Sequence, residues 1–338
     1  MKEKSVLIIA RDLSTFVVRD IDILEKKYPV LTHIYKAKDG LFSNLASQAG
    51  LFFWLLRHIV RAQALYIWFA DYHAFLPVLF ANLFRKNAFV VEGGYDTVYL
   101  PEIRYGSYSN PLRGFCSSYA MKHATLNLPV SETLIPEIRA RAPKARVRTL
   151  YTGYDPAVFK PAGNKEKIVL TVAGSNSFQR VRLKGLDVFA ETAKRLPEYQ
   201  FVIVGLGEKG KSFLEPLPEN LISTEKLSQE ELILWYQRAS VYAQFSMREG
   251  LPNAVCEAML CGCVPVGFNA GGIAIAIGNT GIVINEKTIE NAVSAIREAM
   301  ERLPELGLPA RRHIMETFQK DKRETAILAL MEDPLPKQ

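Results

Sequence analysis

The sequence predicts an α/β protein of two Rossmann-like, doubly wound domains facing across a cleft. Three observations carry this. Short apolar, β-prone runs alternate with segments of helical spacing, which implies βαβ units and parallel sheets. The alternation runs through once and restarts near residue 165. The chain has 338 residues, 49% hydrophobic and 23% charged, which is long for one core and ordinary for two.

Val6–Ala10, Val30–Tyr35, Leu65–Phe69 and Ala88–Val91 read as buried strands. Helical spacing marks Val17 to Lys27 and Ala74 to Phe84, and further strands are expected at Ala124–Val130 and Arg148–Tyr151. In the second half, strands are expected at Lys167–Ala173, Phe201–Val204, Leu221–Thr224, Val241–Gln244, Val264–Gly267 and Ile282–Ile284. Helices are expected at Leu186–Arg195, Gln229–Arg238, Asn253–Cys261 and Glu290–Arg302, with a final helical region over Ala310 to Met331. Pro156, Pro161 and Gly163 mark a linker. The expected domains are 1–158 and 159–315, with a C-terminal helix at about 316–335 packing back on the first. Sheets of this kind bind ligands at the carboxyl ends of their strands.

The net charge of +7 is uneven: residues 1–160 hold 21 Lys and Arg against 13 Asp and Glu, a net +8. The first half is therefore the one to meet an anionic partner. The apolar run Val6–Ala10 is too short for a signal-peptide core. Charged residues break the richest apolar stretch, Gly50 to Phe84, so no spanning helix is expected and the location read is cytoplasmic. Cys116, Cys256, Cys261 and Cys263 lack the spacing of a zinc site and read as buried free thiols. Asp20 and Asp22 read as solvated charge on an amphipathic helix.

Gly205-Leu206-Gly207-Glu208-Lys209-Gly210 spells a dinucleotide fingerprint behind a strand. That fingerprint needs a proper helix after the turn. Pro216 and Pro218 leave room for only about two turns, so an NAD-dependent oxidoreductase is disfavoured.

The sharpest signal is Ser246 to Gly272. A strand ends near Ser246, Glu249 opens the loop Gly250-Leu251-Pro252-Asn253, and a helix follows that Asn253 is placed to cap. A helix N-terminus beside a glycine is an anion site. Glu249 and Glu257 flank it, and carboxylates accept hydrogen bonds from sugar hydroxyls. Together these describe a nucleotide sugar.

Glu249-x7-Glu257 with Ala258-Met259, Gly262, Pro265-Val266 and Gly271-Gly272 resembles the donor-site signature of family 4 glycosyltransferases, the retaining GT-B group. Tyr151-Thr152-Gly153-Tyr154-Asp155 with Phe159-Lys160-Pro161 is similar to that family's inter-domain segment, and Val130-Ser131-Glu132 to its "VS" strand end. Ala173-Gly174 through Lys184-Gly185-Leu186-Asp187 resembles its strand and phosphate-binding lysine loop. The resemblance implies that Glu257 binds the ribose hydroxyls, Glu249 lies against the donor sugar, and Lys184 with Arg182 or Arg180 neutralises the diphosphate. Backbone near Lys226 and Leu227 would meet the base, and Gly174 and Gly205 admit close approach of the donor. The chain departs from the pattern twice: no glycine pair follows the first strand, and Gly272 is followed by Ile273-Ala274-Ile275 instead of an acidic residue.

On the acceptor side, Glu92-Gly93-Gly94-Tyr95-Asp96 and Asp71-Tyr72-His73 fall at carboxyl ends of strands. Asp96 sits where the family tends to have a His or Asp near the reacting sugar. For Asp71 and His73, a loop-structural and a catalytic role stand equally. Pro101 to Gly106, with Glu102 and Tyr105, either covers the acceptor or only shapes its loop.

The expected function is sugar transfer with retention from a nucleotide sugar to a hydroxyl acceptor, sugar or lipid-linked, in polysaccharide, glycolipid or other cell-envelope glycan synthesis. The nucleotide sugar is a co-substrate; no cofactor, metal or nucleic acid is expected. Transfer would pass through an oxocarbenium-like state stabilised electrostatically at the leaving diphosphate. The alternatives are an epimerase or hydrolase on the same fold, or a catalytically silent nucleotide-sugar binding protein. Gly50 to Arg61 has the composition of an interfacial helix, which would put the protein peripherally on the inner face of an anionic membrane. The competing reading has Phe52, Leu55, Leu56 and Ile59 facing the core.

Overall fold

The computed structural model describes residues 4–36 and 41–332, and the side chains of 41–43 are left aside. Residues 333–335 of the expected terminal helix lie outside the described residues. The chain divides into two units: Met1–Thr152 with Asp321–Gln338, and Gly153–Lys320. The division falls inside the segment likened to an inter-domain link, six residues before the boundary read from the sequence, and the tail from Asp321 belongs to the first unit.

The first unit runs β1 (Ser5–Ala10), α1 (Thr15–Glu25), β2 (Val30–Ile34), α2 (Leu41–His58), β3 (Ala62–Trp68), α3 (Tyr72–Leu83), β4 (Asn87–Val91), α4 (Pro111–His123), β5 (Leu126–Asn127) and α5 (Ile135–Arg141). Its sheet is parallel, in the order β2-β1-β3-β4-β5. All six residues of β1 are buried, because helices cover both faces of such a sheet. The expected strand Ala124–Val130 shrinks to two residues and Arg148–Tyr151 forms none. Pro129 has no N–H for a ladder there, and only single bonds such as Leu150 N to Pro129 O continue the edge.

The second unit runs β6 (Glu166–Ser175), α6 (Phe178–Lys184), α7 (Leu186–Arg195), β7 (Gln200–Leu206), α8 (Glu208–Lys211), β8 (Leu221–Thr224), α9 (Gln229–Arg238), β9 (Ala239–Gln244), α10 (Asn253–Leu260), β10 (Val264–Phe268), α11 (Ile273–Ile277), β11 (Ile282–Ile284), α12 (Ile289–Glu301) and α13 (Leu303–Thr317). Its parallel sheet has the order β11-β10-β9-β6-β7-β8, the full doubly wound order with its reversal between β6 and β9. The final helical region is two helices, α13 and α14 (Lys320–Glu332). Behind the fingerprint-like glycines stands a single turn, α8, shorter than the two turns expected.

Asp20 is not a solvated charge. It is fully buried and takes a two-pronged ion pair from Arg323 of α14, with Nε to Oδ1 and Nη2 to Oδ2 both 2.7 Å. Tyr66 Oη and Trp68 Nε1 each donate to Oδ2 at 3.0 Å. Arg323 Nη1 donates to the carbonyls of Leu150 and Tyr151. These bonds tie the C-terminal helix into the first unit.

Candidate functional site

The second unit's site lies where its strand order reverses. Lys184 ends α6, a helix absent from the sequence reading, where this segment appeared as a loop. Ser177 caps α6, accepting from Arg180 N, and Gly185 closes it at φ +62°. A Cβ on Gly185 would stand 2.1 Å from Phe245 O, so the chain can pass β9 only as glycine. That passage brings Lys184 to Glu249, with Nζ to Oε1 at 2.7 Å. The same Oε1 accepts from Ser246 Oγ at 2.7 Å and Gln244 Nε2 at 3.2 Å, and Gln244 accepts in turn from Tyr242 Oη. Sequence reasoning missed Gln244 and Ser246; the signal was two polar residues closing an apolar strand.

Gly272 N donates to Glu249 O, and a Cβ on Gly272 would overlap Gly250 O at 1.7 Å. The late glycine pair thus lets one loop lie flat on the other. Gly250, Leu251 and Pro252 are buried. Asn253 does not cap α10: Pro252 holds the cap position without a side-chain bond, and Asn253 Oδ1 accepts from Tyr154 Oη at 2.6 Å. Glu257, in α10, is almost buried and accepts from Tyr236 Oη at 3.3 Å.

The two arginines separate. Arg180 Nε donates to Gly174 O at 2.9 Å, at the end of β6. Arg182 is exposed and pairs with Asp187 at 2.5 Å. Gly174 has open space where a Cβ would be, and Gly205 takes φ +93° beside it. Lys226 is exposed and Leu227 half-buried, between β8 and the Ser228 cap of α9.

In the first unit the strand order reverses between β1 and β3. Arg11 follows β1 and Asp71 follows β3. Arg11 Nη1 lies 3.3 Å from Asp71 Oδ2, and Arg113 Nε lies 3.0 Å from Oδ1. Neither arginine was singled out from the sequence, since nothing local marks them. Asp96 is fully buried and spent on backbone N–H groups of two loops, accepting from Ala70 N, Gly93 N and Gly94 N at 2.9–3.1 Å. Burial lifts its carboxyl to about 7. Glu92 beside it is fully buried, and burial raises it well above the carboxylate range. His73 is also fully buried, with Nε2 2.7 Å from Trp68 O, and burial lowers its pKa. These bonds give His73 and Asp96 positioning work within the unit. Gly94 has φ +114°, and a Cβ on Gly93 would strike the Phe69 ring. Glu102 is exposed, and Tyr105 packs edge-on against Tyr95. Among the described residues no group of three His, Cys, Asp or Glu is placed to hold a metal ion. All four cysteines are buried free thiols.

Two parallel, doubly wound units in sequence, each with polar side chains at its switch point, define a protein of GT-B architecture. Sucrose-phosphate synthase from Thermosynechococcus elongatus shares the fold with a TM-score of 0.82 at 12% identity, covering 97% of this chain and 98% of that one. The Anabaena protein HepE, solved with UDP and glucose, superposes with a TM-score of 0.74 at 14% identity, covering 97% and 99%. Residues 166–302 match the family described as Glycosyl transferases group 1. A D-inositol 3-phosphate glycosyltransferase of Mycolicibacterium smegmatis is 26% identical over 184 residues, 48% of this chain and 42% of that relative's length.

Proposed function

We propose that the protein is a glycosyltransferase that moves a sugar from a nucleotide-sugar donor to a hydroxyl acceptor, with retention of configuration, in the synthesis of a cell-envelope glycan. The observation that carries this is the Lys184–Glu249 pair at the switch point of the segment that matches group 1. HepE, with the same fold, was solved with UDP and glucose. The donor diphosphate would draw Lys184 away from Glu249, leaving its charge on the leaving group as the glycosidic bond breaks. Glu249, held by Ser246 and Gln244, would then turn its free acceptor capacity to sugar hydroxyls. Glu257 would take the ribose. Arg180, at the end of β6, is better placed than Arg182 to assist at the diphosphate, because Arg182 is committed to Asp187. Calorimetric titration with UDP-, GDP- and ADP-sugars, followed by NMR of the product's anomeric centre, tests the reading. Failure of all three donors to bind would sink it, and an inverted anomeric centre would remove retention.

The first unit is proposed as the acceptor side, with a peripheral contact to an anionic membrane. Leu51, Leu55 and Ile59 face the core, but Phe53, Leu56 and Val60 stand exposed on the same stretch beside exposed Arg57 and Arg61. Among the described residues no helix is long and apolar enough to cross a membrane. Apolar side chains interleaved with arginines suit an anionic bilayer surface. In liposome sedimentation, the protein should pellet with anionic vesicles at low salt and less at high salt. Equal recovery in the supernatant with neutral and anionic vesicles would overturn the contact.

A further inference from the structure

The first unit contains a pocket of about 310 Å³ between α2, α3 and α4, at the small end of the range for ligand sites. Its lining is apolar: Leu45, Phe75, Leu76, Leu112 and Phe115, closed by the ring of Tyr72. Three of these, Leu45, Leu112 and Phe115, are more than half exposed, so the rim presents large apolar side chains to water. A monomeric surface leaves such a concentration uncovered where something apolar binds. At the polar end, Tyr72 is contiguous with Asp71, and Arg113 lies over the Tyr72 ring at 4.9 Å. Arg11 and Arg113 share the single carboxylate of Asp71, which leaves one positive charge in excess at the switch point of this sheet. Gln48 crosses the wall between, donating to Tyr72 O at 2.8 Å, with Oε1 buried and unpartnered among the described residues. The arginines do not line the pocket but adjoin it through Tyr72, and an apolar pocket beside two arginines suits an alkyl chain carrying a phosphate. Arginine forks match phosphate oxygens; Arg11 is held by its bond to Asp71 and Arg113 by its bond to Tyr95 Oη, with the Asp71 carboxylate beside it.

We propose that this pocket and the Arg11–Arg113 pair together bind a phosphorylated amphiphile, chain in the pocket and phosphate at the arginines. The inference rests on the acceptor-side reading of the first unit and names the acceptor class: a hydroxyl-bearing molecule with a phosphate linked to an apolar chain. The volume admits a short chain or one end of a longer one.

The probe is decyl phosphate below its micellar concentration, compared with decanol and inorganic phosphate by calorimetry. Cys116 supplies a second readout without mutation: it lines the pocket, while Cys256, Cys261 and Cys263 are fully buried. Decyl phosphate should bind at least tenfold more tightly than decanol or phosphate, and should slow alkylation of Cys116 at least tenfold. Leu76→Trp, which fills the pocket, should remove that preference, and Arg113→Gln should bring decyl phosphate down to the affinity of decanol. Equal binding of decyl phosphate and decanol to the unmodified protein would overturn the anion half. Binding that leaves Cys116 alkylation unchanged would overturn the pocket. UDP titration of the same variants separates the readings: undiminished UDP binding with no amphiphile binding defeats only this inference, and absent UDP binding defeats the glycosyltransferase reading.

Discussion

Lys184 Nζ stands 2.7 Å from Glu249 Oε1, across 65 residues of chain. Each is partly buried, at 20% and 16% side-chain exposure, so the attraction is less screened than at a surface while ligand access remains. The cation rests on a carboxylate that two further donors, Ser246 Oγ and Gln244 Nε2, hold in place.

Lys184→Met should lower kcat by about 10²-fold or more and change KM less, because the charge matters most as the diphosphate leaves. Steady-state kinetics over donor concentration check this. A risen KM with kcat untouched would make Lys184 a ground-state binder.

Glu257→Ala should weaken donor binding by about 1–3 kcal/mol for each hydrogen bond lost to a charged group. Titration with the nucleotide sugar measures it, with thermal unfolding as the control for Tyr236, which loses its acceptor. Unchanged affinity would remove Glu257 from the donor site.

Asp20→Ala leaves the Arg323 guanidinium buried without its counter-charge, and should cost about 3–5 kcal/mol in urea unfolding followed by tryptophan fluorescence. Replacing both residues by leucine should recover much of that loss. A single variant as stable as the parent would mean that water reaches the site.

Asp96 gives a pH dependence whose sign runs against the usual carboxylate. Burial raises its folded pKa to about 7, above the unfolded value of about 3.9, so the folded state binds the extra proton between them. As far as this group is concerned, stability is highest below about pH 4, falls as pH rises from about 4 to about 7, and levels off above that. Asp96→Asn should flatten urea-unfolding stability between pH 5 and 8. An unchanged slope would assign the dependence to Glu92 or to groups elsewhere.

Much of the second unit is legible in the sequence because its spacing is local. Glu249, the Gly-Leu-Pro loop, Glu257 and the glycine pair lie within 27 residues of Ser246–Gly272, and apolar runs fix β6, β7, β9 and β10 by their own composition. The periodicity of strand and helix likewise suffices for two parallel, doubly wound units. Where the reading failed, the deciding partner lay far off in the chain. Asp20 looked solvated because Arg323, 303 residues on, is invisible from its own helix. Asn253 looked like a cap until Tyr154, 99 residues away, took its oxygen. His73 and Asp96 fall at strand ends in the sequence, but only the fold shows them buried, His73 against the Trp68 carbonyl and Asp96 on the N–H of Ala70, 26 residues away. Arg11, Asp71 and Arg113 meet only because the strand order of the first sheet reverses between β1 and β3. Sequence by itself determined what depends on local periodicity and short-range spacing: the fold class, the second unit's strands and the loop from Glu249 to Asn253. Tertiary structure alone decided the protonation, burial and pairing of charged groups, because those depend on which distant side chain fills the space beside them.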